Sequence, residues 1–74
     1  MQSSQKKGLC RMEKFVLNMC YNYKGSSNCT VTLQKNIEDN TISIISDYGE
    51  VVAICTSGHS VVKVLKDLDD EKYA

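Results

Sequence analysis

Seventy-four residues make one small domain and exclude two, and a chain this short buries only about 60% of its unfolded surface, so its core must be thin. A composition 42% hydrophobic and 24% charged argues against disorder, and the longest apolar runs, Ile44-Ile45 and Val51 to Cys55, exclude a membrane span. The net charge of zero hides a polarity: residues 1–37 carry six cations against Glu13 alone, a balance of +5, and residues 38–74 carry three against eight carboxylates, a balance of −5. Such asymmetry fits a basic face for nucleic acid, an acidic face for a basic partner, attraction between copies, or two ordinary solvated surfaces.

The polar, basic start, residues 1–11, has neither a hydrophobic period nor the apolar stretch of a signal peptide. It reads as a flexible arm ahead of a single domain over residues 12–74, in a cytoplasmic protein whose cysteines are reduced. Residues 14–23 then alternate: Phe15, Leu17, Met19, Tyr21 and Tyr23 share one face, and Lys14, Val16, Asn18, Cys20 and Asn22 the other. A helix would scatter those large side chains around its circumference, whereas a strand aligns them. Lys24 to Asn28 is a turn by composition. Cys29, Val31 and Leu33 alternate with Thr30, Thr32 and Gln34 in a second strand, and Glu38-Asp39-Asn40 turns again. Thr41 to Ser46 is a third strand, Asp47-Tyr48-Gly49-Glu50 a tight hairpin and Val51 to Thr56 a fourth strand.

After Thr56 the period changes. Val61, Val64, Leu65 and Leu68 fall at i, i+3, i+4 and i+7, the apolar stripe of a helix capped by Ser57 or Ser60. Short connections make the strands a sequential antiparallel meander. The expected fold is therefore α+β: a four-stranded antiparallel β-meander with one C-terminal helix packed on it, ββββα.

Chemistry-bearing constellations are few. The strand-to-helix turn Ser57, Gly58, His59 and Ser60 offers free N–H groups, hydroxyls and an imidazole for an anion, but the same residues are the vocabulary of helix capping. Cys10, Cys20, Cys29, Cys55 and His59 contain no C-x-x-C pair, so neither a structural metal nor any other cofactor is expected. Cys55 or Ser60 with His59 would make a rudimentary hydrolase, in a domain with little room for a water-excluding pocket. Phe15, Tyr21 and Tyr23, flanked by Lys14 and Lys24, could stack single-stranded nucleic acid, though such a row more often lies beneath a helix as core.

Two surfaces stand out. One helix covers only one face of a sheet, leaving Val16, Cys20, Ile45 and Val52 or Ile54 to line an open, half-apolar face of the kind that contacts a partner. Asp67, Asp69, Asp70 and Glu71 crowd the helix C-terminus, where the macrodipole disfavours negative charge. Together they point to a non-enzymatic module, an inhibitor or regulator that binds a protein partner or a second copy of itself, without membrane contact. Binding of single-stranded nucleic acid is the alternative, and a small hydrolase a distant third.

Overall fold

A computed structural model of the chain describes residues 12–74, so the arm expected over residues 1–11 lies outside the described residues. Four strands, β1 (Met12–Tyr23), β2 (Ser26–Asn36), β3 (Thr41–Ser46) and β4 (Val51–Cys55), precede one helix, α1 (Gly58–Asp69). The strands form a single antiparallel sheet in the order β1-β2-β3-β4, each paired with its sequence neighbour. This is the expected ββββα arrangement. No helix among the described residues is long and apolar enough to cross a membrane.

The first hairpin is tighter than its composition implies. Lys24 (φ 50°) and Gly25 (φ 82°) both take left-handed backbone, the pattern of a two-residue type I′ turn, and β2 begins at Ser26 rather than at Cys29. Lys24 lacks the steric freedom of glycine, and tertiary contacts hold it there. Its N–H donates to the Tyr73 carbonyl at 2.7 Å and its ammonium lies 5.4 Å from the centre of the Tyr23 ring.

At the other end of the sheet the helix is capped by Ser57, whose hydroxyl accepts from the Ser60 N–H at 3.2 Å. Its C-terminus closes with a Schellman pair, Lys72 N–H to Asp67 carbonyl at 2.9 Å and Glu71 N–H to Leu68 carbonyl at 3.1 Å. The residue that must turn left-handed there is Glu71 (φ 60°), where glycine is usual.

The core is Tyr21, Tyr23, Val31, Ile44, Cys55, Val61 and Leu68, with Met19, Leu33, Ile42, Val52, Ala53, Val64, Leu65 and Tyr73 partly buried around it. The helix stripe thus divides: Val61 and Leu68 are sealed, Val64 and Leu65 only half so. Phe15 and Leu17 share the covered face with Tyr21 yet are 57% and 38% exposed. Position across the sheet explains this. Phe15 lies opposite Leu33, which lies opposite the sealed Ile44, and Leu17 lies opposite the sealed Val31, so within one row exposure rises toward the β1 edge. α1 starts beside Ile42, soon after the end of β4, and crosses to end beside Tyr21 and Asn22 on β1, so the first half of β1 projects sideways from beneath it in a molecule 45 Å long and 16 Å thick.

Candidate interaction surface

Register assigns the open face row by row. Residues directly opposite in an antiparallel pair point to the same side, so Val16, Thr32, Ile45 and Val51 form one cross-strand row and Lys14, Gln34, Ser43 and Ile54 the next. Val16, Ile54 and Val51 are 64%, 65% and 53% exposed, and Ile45 is half-buried between its neighbours. Val52 does not belong with them: a bulge after Ile44 makes Val51 the partner of Ile45, and Val52 packs partly against the core. Alternation alone could not show this, because one inserted residue exchanges the faces of all that follow. Cys20 is exposed, but at a second bulge between Asn18 and Tyr21 and not in the apolar row.

Met12, Phe15, Val16 and Leu17 concentrate exposed apolar surface on the projecting part of β1, on both faces of the ribbon. Beneath Phe15 lies an apolar groove of about 210 Å³, lined by Phe15, Leu33, Lys35, Ile42, Gly58 and Val61. Among the described residues nothing pairs with the outer edge of β1, the position from which a strand can add another.

The opposite end of the ribbon is closed by polar side chains that sequence reading missed. Asn28 is 2% exposed; its amide donates to the Ser26 carbonyl at 2.9 Å and its carbonyl accepts from the Asp47 N–H at 3.1 Å. Glycosylation at Asn28-Cys29-Thr30 would require that buried amide. The Asp47 carboxylate accepts from the Thr30 hydroxyl at 2.7 Å and from the Cys29 N–H at 3.2 Å, a donor that the bulge removes from the ladder. The Thr30 hydroxyl, seconded by the Cys29 N–H, holds the Asp47 carboxyl below its ordinary value. Tyr21 donates to the Thr30 carbonyl at 2.6 Å, and burial pushes its hydroxyl pKa up. The sequence signals were present but indistinct: Asn and Asp beside turns are common everywhere.

The remaining candidates separate. Tyr21 and Tyr23 are 5% and 6% exposed, so of the aromatic row only Phe15 presents itself for stacking. Ser57 and Ser60 are engaged in the cap, their hydroxyls 3.0 Å apart, with Gly58 and His59 on the exposed first turn. Cys55 is buried in the core while His59 is exposed, so the residues of the hydrolase reading occupy different environments. Among the described residues no group of three or more His, Cys, Asp or Glu side chains could hold a metal. At the acidic helix end, Asp67 meets Lys72 at 3.7 Å and Asp70 is the C-cap; Asp69 and Glu71 border a cleft beside Cys20. Of the four carboxylates, that of Asp67 therefore has a local partner, and Asp70 serves the fold through its backbone N–H. Comparison with protein-family models, curated proteins and solved structures found no match to this chain.

Proposed function

We propose that the chain is a non-enzymatic interaction module that associates through the exposed first half of β1, with a second copy of the chain as the occupant. The observation that carries this reading is the coincidence, on one segment, of a strand edge unpaired among the described residues with Phe15, Val16 and Leu17 exposed on both faces. Exposed apolar surface on an unprotected edge is what strand addition uses: backbone bonds supply affinity and alternate side chains supply specificity. The segment is also self-complementary. An antiparallel pairing of two β1 strands about a dyad at Val16 sets Val16 against its copy, Phe15 against Leu17 and Lys14 against Asn18 (identities). No like charges oppose one another in that register, and the apolar rows of the two open faces become continuous.

Light scattering over a concentration series tests the proposal. The expected result is a concentration-dependent dimer that Val16→Lys converts to a folded monomer, by setting two cations across the dyad. Ile54→Lys, on the far strand of the same open face, should leave the dimer intact. A wild-type chain monomeric at its highest soluble concentration would overturn the reading. Equal dissociation by both variants would replace edge pairing with stacking of open faces.

A further inference from the structure

We propose that Cys20 and Cys29 form a redox site, a dithiol that a small neutral oxidant of the peroxide class converts to a disulfide. The site is built by the bulge between Asn18 and Tyr21. The ladder pairs Asn18 with Thr30 and next Tyr21 with Asn28, leaving Met19 and Cys20 opposite Cys29. Met19 packs against the core, whereas Cys20 and Cys29 are both free and both exposed. They line one cleft of about 340 Å³ with Tyr21, Asn28, Asp69 and Glu71. Facing residues of an antiparallel pair have Cα atoms about 4.5–5.5 Å apart, within the span of a disulfide. Cys55, sealed in the core, has no such access.

The surroundings select the oxidant. Cys29 has its pKa raised, first by the charge that a neighbouring Cys20 thiolate would place beside it and by a hydrogen bond between the two thiols. A thiolate at one position thus keeps its neighbour protonated, so one thiol attacks while the other waits. The carboxylates of Asp69 and Glu71 on the cleft, with Asp47 beside Cys29, disfavour anionic disulfides such as oxidised glutathione and leave uncharged hydrogen peroxide unopposed. The Cys20 thiolate attacks one peroxide oxygen, the O–O bond breaks, and the hydroxide released takes up the Cys20 proton as water. Cys29 sulfur then displaces the hydroxyl of the Cys20 sulfenic acid, which leaves as a second water with the Cys29 proton. Two thiols lose two electrons and one peroxide becomes two waters.

Lys24 lies between the two cysteines, so trypsin separates them into peptides 15–24 and 25–35 unless a disulfide joins them. The full chain is treated with hydrogen peroxide, alkylated and digested without reductant. The expected result is peptide 15–24 linked to 25–35, a mass lower by about 2 Da and reversal by dithiothreitol. The urea-unfolded chain provides the reference: Cys10 and Cys29 are nearly equidistant from Cys20 along the chain, so closure entropy favours neither and both links should form. Cys29→Ser should leave Cys20 as a sulfenic or sulfinic acid with no link. A native chain that divides Cys20 between Cys10 and Cys29 as the unfolded chain does would overturn the proposal. So would a link only between chains, or two thiols that both remain open to alkylation.

Discussion

The two ends of the β1–β2 ribbon share one pattern of alternation and have opposite fates. At the turn end, Tyr21 and Tyr23 are sealed by α1, Asn28 is buried with both amide atoms bonded, and Tyr73 docks against Tyr23 with ring centroids 6.0 Å apart. At the other end, Phe15 and Leu17 lie on the same face and in the same period, yet they remain in contact with solvent. What separates them is the line of the helix, which starts beside Ile42 and reaches β1 only at Tyr21 and Asn22, so the β1 edge at Phe15 and Leu17 stays uncovered although Ile44 and Val31 in the same rows are sealed. Periodicity assigns a side chain to a face; whether that face is covered depends on the length and direction of the element above it.

Core truncation should break the comparison most sharply. Leu68 is 0% exposed, so Leu68→Ala should cost roughly 2–5 kcal/mol, with Leu65→Ala costing less because Leu65 is only half-buried. Phe15→Ala, at the projecting end, should cost under about 1 kcal/mol in the monomer. Urea melts of the three variants check the order, and a Phe15 variant as damaged as the Leu68 one would mean that the projecting end is packed after all. Next in size, Asn28→Ala should cost about 1–3 kcal/mol by removing a buried amide that bonds the Ser26 carbonyl and by leaving the part-buried Asp47 N–H without its acceptor. Asn28→Asp keeps an acceptor and should recover part of that loss, an order that calorimetry can read.

Glu71→Gly should act in the opposite direction. It relieves a left-handed glutamate and removes a carboxylate from the negative end of the helix, which should raise stability by up to about 1 kcal/mol. An unchanged or lower Tm would show that the Glu71 carboxylate makes a compensating contact. The smallest effect is that of pH on Asp47. Its folded-state pKa lies below the ordinary 3.8, so its contribution is complete above that value and is lost as pH falls through the depressed one. Melts of wild type and Asp47→Asn should therefore differ at neutral pH and converge below pH 3.8. A constant gap would dissociate the carboxylate charge from the bonds to Thr30 and Cys29.

The architecture was legible because its signals are periodic and repeated: strict alternation, glycine at the Gly49 turn (φ 85°) and a change of period after Thr56. What was not legible is local and singular. Two bulges leave no mark in an alternating pattern, yet one substitutes Val51 for Val52 on the open face and the other brings Cys29 against Cys20. The Schellman turn after Asp70 was not legible either, because left-handed glutamate is not a stop signal that sequence reading expects. Of the candidate surface, the open face was visible in outline. The exposure of Phe15 and Leu17 depended on the line along which the helix crosses the sheet, which the stripe alone does not set.

The bond from the Lys24 N–H to the Tyr73 carbonyl spans most of the described chain, whereas every sheet ladder joins neighbours in sequence. The meander can therefore assemble from local contacts, and closing the ends requires fixing a long loop whose entropy is recovered only once α1 has docked. Closure then belongs after the rate-limiting barrier. Tyr73→Ala should accelerate unfolding in stopped-flow measurements and leave the folding rate nearly unchanged, whereas a matching fall in folding rate would move closure into the nucleus. The clasp between first hairpin and last residues would thus govern how long the folded molecule persists rather than how quickly it forms.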